Sequence, residues 1–177
     1  MPELVNTAVL NELFETFEHT AWRLETQRGY ESDRQSDRYQ RWARGDGYSA
    51  EGREKFLDGR RALAKQGKRV ERVRVVDDPP TENQRYLLVG APSTIAAGED
   101  IRHLWRADAD RLALPNADFW LFDSRTLALF HHEEGRTLGL ELITDPAEVL
   151  KACQVRDAAW HFAVPYEEFA ARVPSDV

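Results

Sequence analysis

The clearest hydrophobic pattern in the chain lies near its C-terminal end, between residues 118 and 146. Three short apolar runs, at 119–122, 126–131 and 137–143, are separated by two short polar connections. Connections this short join strands that are antiparallel neighbours. The pattern therefore predicts a three-stranded meander in this part of the chain.

Helical periodicity flanks the meander on both sides. Near the N-terminus, apolar residues recur at the spacing i, i+3, i+4 and i+7, at Leu10, Leu13, Phe14 and Phe17. This spacing predicts a helix over residues 7–19. After the meander, Asp145, Pro146 and Glu148 supply a cap, a first-turn proline and an acidic third residue, which is typical of a helix start.

The remaining elements have weaker sequence signals, but together with the first ones they indicate a fold class. Alternating or short apolar runs predict strands at 20–26, 69–76 and 101–105. A helix is predicted from Ser49 to Gln66, and residues 81–89 fit either a helix or a strand. We therefore expect one α+β domain over residues 1–177, with an antiparallel sheet of about five strands packed by the N- and C-terminal helices.

One polar segment, residues 29–50, contains no leucine, isoleucine or valine. Such a segment can bury little apolar surface, so we expect a loosely packed helix and a mobile loop there. Its arginines, interspersed with acidic residues, indicate a solvated face more than a nucleic-acid surface. With a net charge of −7 over 177 residues, no strong direct binding to DNA is expected.

The single cysteine, Cys153, excludes an intrachain disulfide and favours a reducing, cytoplasmic compartment. No apolar run approaches the 18 residues of a membrane span, and the first residues lack the basic start of a secretory signal. We expect a cytoplasmic protein without membrane contact. The spacing of the histidines, including the adjacent His131 and His132, matches no metal site, so no metal and no cofactor are expected.

Charged residues inside two predicted strands are the first candidates for a binding site. Arg23 and Glu25 share one face of their strand, and Arg72 and Arg74 share one face of theirs. If the strands are neighbours, these residues form either a pocket for a carboxylate or phosphate group or a set of cross-strand ion pairs on a solvated face.

Three acidic residues near predicted strand ends, Glu99, Asp100 and Asp123, have two interpretations. They could bind a divalent cation or act as an acid and base. They could also close turns by accepting hydrogen bonds from the backbone. The sequence does not identify catalytic residues.

In the last helix, Asp157 follows Cys153 by four residues and precedes Trp160 by three, which places a carboxylate on the apolar stripe. We therefore predict that Asp157 is buried and paired with an arginine of the sheet, because an unpaired buried carboxylate is costly. Its role would be a structural ion pair or a charged group at a pocket or partner interface. The candidate binding positions are completed by Trp120, Arg125 and Arg156.

The chain resembles a family of uncharacterised actinobacterial proteins, a domain of unknown function. The resemblance is carried by the segments LFETFEHTAWRLET, KRVERVRVV, AGEDIRHL, DFWLFDSRT and RDAAWHFAVPYEEF, and it spans about residues 13–169. Members are often encoded beside helix-turn-helix regulators, which implies a regulatory or partner-binding role. The family has no established activity, so no catalytic residue is carried over. Residues 29–49 and Pro79-Pro80 fit its pattern least.

Two functions are therefore expected from different classes. The first is a cytoplasmic regulatory or protein-interaction module that acts with a transcriptional regulator, with a helix-turn-helix protein as the candidate partner. The second is a small enzyme or ligand-binding protein that recognises a phosphorylated or acidic small molecule through the Arg/Glu face. A cleft lined by Arg23, Arg72 and Arg74 that holds a carboxylate of perturbed pKa would favour the second. A flat exposed apolar patch with aromatic anchors would favour the first.

Overall fold

The computed structural model describes residues 2–174. Its strands are β1 Thr20–Glu25, β2 Arg69–Val76, β3 Asp100–Trp105, β4 Phe119–Phe122, β5 Thr126–Glu133, β6 Arg136–Ile143 and β7 Val164–Pro165. Its helices are α1 Val9–Thr16, α2 Glu31–Arg34, α3 Asp37–Ala43, α4 Glu54–Lys65, α5 Glu82–Ala96, α6 Arg106–Arg111, α7 Pro146–Phe162 and α8 Tyr166–Ala170.

The sheet has seven strands in the order β6-β5-β4-β1-β2-β3-β7. The α+β class is confirmed, but the expectation of about five antiparallel strands is wrong. Strands β1, β2 and β3 are parallel neighbours, and the other pairs are antiparallel. The reason lies in the connections, because β1 and β2 are joined through α2 to α4 and β2 and β3 through α5, and such crossovers return the chain in the same direction.

The three apolar runs near the C-terminal end pair antiparallel in chain order, as predicted. The last two strands are longer than predicted, and a register shift lies between His131 and His132. Residues 81–89, which the sequence left undecided, belong to α5. A capping box between Thr81 and Gln84 starts this helix. Helix α7 begins as predicted, with the Asp145 side chain accepting from the backbone of its first turn.

Each face of the sheet is covered by a different set of helices. On one face, Trp22, Leu24 and Val73 pack with residues of α6 and α7 in the largest apolar cluster. On the other face, α1 covers an aromatic cluster that contains Trp120 and Phe122. Helices α4, α5 and α8 lie on this second face as well, and its central part carries charged side chains instead of an apolar core.

The polar segment 29–50 is attached to the rest of the fold through buried aromatic side chains. It forms α2 and α3, and Tyr30 and Tyr39 are buried. The Tyr39 hydroxyl donates to Glu82 at 2.6 Å, and its ring lies 5.0 Å from that of Tyr86. Aromatic side chains therefore anchor a segment that contains no leucine, isoleucine or valine.

Asp123 holds the connection between α1 and β1. Its carboxylate accepts hydrogen bonds from the backbone N–H groups of Glu18, His19 and Thr20 at 2.8, 2.7 and 2.9 Å. Burial raises the pKa of Asp123, but these three hydrogen bonds outweigh burial and hold the pKa below its usual range. Asp123 is thus a backbone-binding residue, which is the turn interpretation of the sequence.

We predict that Asp123→Ala lowers the free energy of unfolding by about 2 kcal/mol, because hydrogen bonds to a charged group are lost. The folded-state pKa is lowered, so the stabilisation is present above the unfolded pKa of about 3.9 and is lost as the pH falls through the folded value. Urea unfolding at pH 7 and pH 3 measures both effects. The control is Asp46→Ala in an exposed loop, which should change stability by less than about 0.5 kcal/mol. An equal effect of both variants would contradict the prediction.

Candidate functional site

The parallel pairing of β1 and β2 brings the four predicted charged residues together on one face. Arg23 is in register with Arg72, and Glu25 with Arg74. Glu25 accepts hydrogen bonds from Arg72 Nη1 and, at 2.6 Å, from Arg74 Nε. Burial raises the pKa of Glu25, but Arg72, Arg74 and Arg23 outweigh it and hold the pKa well below its usual range.

Glu99 extends this network from the start of β3. Its side chain is fully buried and accepts from Arg72 Nε at 2.6 Å and from Arg60 Nε at 2.9 Å. Burial opposes ionisation, yet the two guanidinium groups lower the pKa of Glu99. Glu99 is therefore a paired anion beneath the charged face, and it is neither a cation ligand nor a residue that closes a turn.

Asp118, at the start of β4, closes the network on the opposite side. It accepts from the Tyr30 hydroxyl at 2.6 Å and from Thr26 through both N–H and hydroxyl, at 2.7 and 2.9 Å. Arg23 Nη2 lies 3.6 Å from Asp118 Oδ2, and His132 Nε2 lies 3.7 Å from the same atom. This fully buried carboxylate was absent from the sequence prediction.

A cavity of about 350 Å³ opens above this face, and we refer to it as the arginine cavity. Five arginines line it: Arg23, Arg53, Arg60, Arg72 and Arg74. Phe14, Phe56 and Trp120 form aromatic walls. The guanidinium carbon of Arg60 lies 4.6 Å from the ring centroids of both phenylalanines, so cation and aromatic surfaces alternate around the cavity.

Arg53 differs from the other arginines of the cavity because neutral groups hold it. Its terminal nitrogens donate to the hydroxyls of Tyr48, Ser93 and Thr94 at 3.0, 3.3 and 3.1 Å. Neither Arg53 nor its neighbour Arg38 forms an ion pair within residues 2–174, and the buried Nε of Arg38 has no hydrogen-bond partner there. Both line an adjoining lobe of about 90 Å³. Arg53 and Arg38 therefore bring positive charge to the cavity and its lobe without an ion-pair partner among residues 2–174.

The other predicted positions are divided between the arginine cavity and the rest of the surface. Trp120 lies in the cavity wall, whereas Asp100 and Arg125 are exposed and lie outside the cavity. Arg156, Asp157 and Trp160 line a second cleft on the opposite face of the sheet.

The burial predicted for Asp157 is wrong. Its side chain is 72% exposed and pairs with the adjacent Arg156 at 2.9 Å. The rotation of α7 directs Val149, Ala152 and Ala159 to the core, so Asp157 lies outside the stripe and no sheet arginine reaches it.

Several cavity residues could not be identified from the sequence. Arg53 and Arg60 lie at and within a helix that carries many other charged residues, and Tyr30 lies in the polar segment. Only the alternation of charge in β1 and β2 marks the site in the sequence.

Among residues 2–174, no three histidine, cysteine, aspartate or glutamate side chains are placed to hold a metal ion. None of the helices in the same range is long and apolar enough to cross a bilayer.

We predict that Glu99→Gln lowers the free energy of unfolding by about 3–5 kcal/mol, because it leaves Arg60 and Arg72 buried without their shared anion. Asp157→Asn, which removes an exposed carboxylate with a neighbouring arginine, should change it by less than about 1 kcal/mol. Chemical denaturation of the two variants beside the wild type measures both values. A small effect of Glu99→Gln would show that the network does not stabilise the fold.

Comparisons with known proteins place this geometry in a fold and a family. The chain is similar to Nuc, a phospholipase D family member from Salmonella typhimurium, at 10% identity with a TM-score of 0.53, covering 90% of this chain and 89% of that one. It is also similar to NucT from Helicobacter pylori, at 12% identity with a TM-score of 0.54, covering 93% and 98%. At these identities the likeness concerns the fold only.

No protein of curated function matches the sequence. The sequence model of a domain of unknown function, DUF6879, matches residues 8–171, and the chain therefore belongs to that family.

Proposed function

We propose that this protein binds a small molecule with a phosphate or carboxylate group in the arginine cavity. The observation that carries the proposal is the unneutralised charge of Arg53, beside the cavity's four other arginines. A planar guanidinium held by neutral hydroxyls keeps its charge available to an incoming anion.

The charge of the cavity supports an anionic ligand. Its five arginines face four carboxylates, those of Glu25, Asp33, Glu99 and Asp118. Arg38 in the adjoining lobe adds a further positive charge. Two of the carboxylates, Glu25 and Glu99, are already bound to two or more guanidinium groups. A ligand anion would therefore gain attraction without displacing an internal pair.

The walls of the cavity favour a ligand with an apolar or aromatic portion. Phe56 is exposed, and the guanidinium carbons of Arg53 and Arg60 lie 4.7 and 4.6 Å from its ring centroid. Phe14 packs edge-on against Trp120 at 4.9 Å. A volume of about 350 Å³ lies within the range typical of small-ligand sites.

We place no catalytic step in the cavity. Burial raises the pKa of the Tyr30 hydroxyl, with Glu25 and Asp118 adding to the effect, so Tyr30 is a weak nucleophile. Burial also raises the pKa of Asp33, and the hydrogen bond from Asn83 opposes that rise. The distant likeness to a phospholipase D family member supplies a fold and no catalytic residue for this chain.

We predict that Arg53→Gln weakens binding of phenyl phosphate by roughly 10- to 100-fold, which corresponds to the loss of about 1.5–3 kcal/mol of charged hydrogen bonding. The matched control is Arg61→Gln in α4, because Arg61 is exposed and its ion pair, with Asp58 at 2.7 Å, lies outside the cavity. Isothermal titration with phenyl phosphate, benzoate, inorganic phosphate and phenol separates phosphate, carboxylate and aromatic contributions. Binding of phenol alone, or equal loss in both variants, would overturn the proposal.

A second variant tests the placement of Arg53. A Cβ at Gly90 would lie 3.0–3.2 Å from the Tyr48 ring, whereas a Cβ at Gly59 meets nothing within 4 Å. Both glycines are in helices, where alanine is favoured by up to about 1 kcal/mol. We predict that Gly90→Ala displaces Tyr48 and weakens phenyl phosphate binding several-fold, while Gly59→Ala raises the melting temperature and leaves binding unchanged. Unchanged phenyl phosphate binding in Gly90→Ala would show that the position of Tyr48 does not matter for binding.

A second candidate function, a regulatory module that binds a helix-turn-helix regulator, is favoured by an apolar edge. Leu138 and Leu142 on β6 are 50% and 39% exposed, and they lie on the outermost named strand of the sheet. Exposed leucines at such an edge are typical of partner surfaces. Co-purification of the tagged wild type from its own cytoplasm, compared with Leu138→Glu, tests this role. Equal recovery of a regulator with both proteins would exclude this edge as the contact.

A further inference from the structure

The second cleft, on the opposite face of the sheet, has a volume of about 640 Å³. It lies between α7 and the first residues of the parallel strands. Trp22, Glu71 and Arg102 form its floor, since all three belong to adjacent strands and project to the same face. Trp160 and Arg156 of α7 form its wall. We call this the α7 cleft.

Polar atoms of the floor lack partners within the described chain. Trp22 is 1% exposed, and its indole N–H has no hydrogen-bond acceptor; the buried Nε of Arg102 has none either. Glu71, the register neighbour of Trp22, forms no side-chain hydrogen bond or ion pair with a residue of the range 2–174. Burial raises the pKa of Glu71, with Arg69 opposing it and Asp100 adding to it. Two buried N–H donors and one half-buried carboxylate, from three neighbouring strands, thus lie in the floor of the α7 cleft without partners among residues 2–174.

The unpaired groups of this floor lower the stability of the free protein, and a bound ligand that pairs with them would offset that cost. A half-buried carboxylate without a partner and an orphaned indole N–H each cost free energy that a hydrocarbon side chain would not. Neighbouring groups are satisfied in contrast. Arg102 Nη1 donates to the Trp160 carbonyl at 3.2 Å, and Arg156 Nη1 donates to the Ser124 hydroxyl at 2.7 Å. Unsatisfied atoms also occur on the other face of the sheet, but those of Trp22 and Arg102 are the ones that lie between the sheet and α7, beside the unpaired Glu71.

The charge of the α7 cleft differs from that of the arginine cavity. Its arginines are Arg69, Arg102 and Arg156, and its acids are Glu71 and Asp157. Asp100 adds a third acid, 3.8 Å from Arg102. With these charges balanced, the cleft has no excess charge to attract an ion, so its ligand must be recognised through hydrogen bonds and stacking.

We propose that the α7 cleft binds a neutral polyhydroxylated ligand such as a sugar or cyclitol. A hydroxyl group both donates and accepts, so adjacent hydroxyls can donate to the Glu71 carboxylate and accept from the Trp22 and Arg102 N–H groups. Trp160 offers an aromatic wall, and its ring is held in place by Arg102, whose guanidinium carbon lies 3.8 Å from the ring centroid. This site is independent of the arginine cavity.

The test is saturation-transfer NMR and calorimetric titration of the full chain with glucose, ribose and myo-inositol. We expect saturable binding with a Kd of about 1 mM or tighter for at least one of these probes. Glu71→Gln should weaken it at least about tenfold. The matched control, Glu15→Gln in α1, alters an exposed carboxylate outside the cleft and should leave binding unchanged.

Two further measurements separate a binding role from a structural one. If Glu71 serves a ligand, Glu71→Gln keeps or raises the melting temperature, because it removes a poorly solvated charge without breaking a pair. Arg53→Gln and added inorganic phosphate should leave sugar binding unchanged, since both act on the other face. The proposal is overturned if none of the three probes binds saturably up to about 50 mM. It is also overturned if Glu71→Gln binds as the wild type does, or if Glu71→Gln lowers the melting temperature.

Discussion

A network of buried carboxylates and guanidinium groups joins the three parallel strands at the centre of the sheet. Arg72 lies at its middle and binds Glu25 of β1 and Glu99 at the edge of β3. Burying these charges is costly, so the arrangement is tolerated only when every partner is in place. A slip of β2 by one residue would turn Arg72 into the apolar core on the other face, which is why the network specifies the register of the parallel strands.

The same network explains why the arginine cavity can exist on this face. An apolar core would fill the space above the central strands, as it does around Leu24 and Val73 on the other face. Charged side chains instead keep that space polar, and helices α1, α4 and α5 pack around its rim. Arg53 is contributed from the start of α4 and is held by hydroxyls of Tyr48 and α5. The positive charge is therefore placed by tertiary structure and not by its own strand.

Local sequence patterns predicted the elements whose signals extend over a few residues. They did not predict features that depend on how distant strands pair. The meander, β2 and the start of α7 were predictable, because period-two alternation, short turns and a capped proline act over a few residues. The parallel order of β1, β2 and β3 was not, because it depends on where helical crossovers place distant strands. In residues 29–50, three tyrosines and a tryptophan are the large apolar side chains available, and the partners of the buried Tyr30 and Tyr39 are set by the folded chain. The charges of Arg23, Glu25, Arg72 and Arg74 were identified from alternation, whereas Arg53, Arg60 and Asp118 converge only in the folded chain.

Asp157 shows how a helical stripe can mislead. Its spacing from Cys153 and Trp160 suggested burial, yet Trp160 is itself only partly buried and stacks on Arg102 at the rim of the α7 cleft. The stripe on α7 therefore divides, with Val149, Ala152 and Ala159 facing the core and Trp160 facing the cleft. A helix that covers a sheet face completely would bury such a tryptophan with the core residues. That α7 leaves it at a polar cleft, above the unpaired Glu71 and the orphaned indole of Trp22, is the structural reason to regard this face as more than a packing surface.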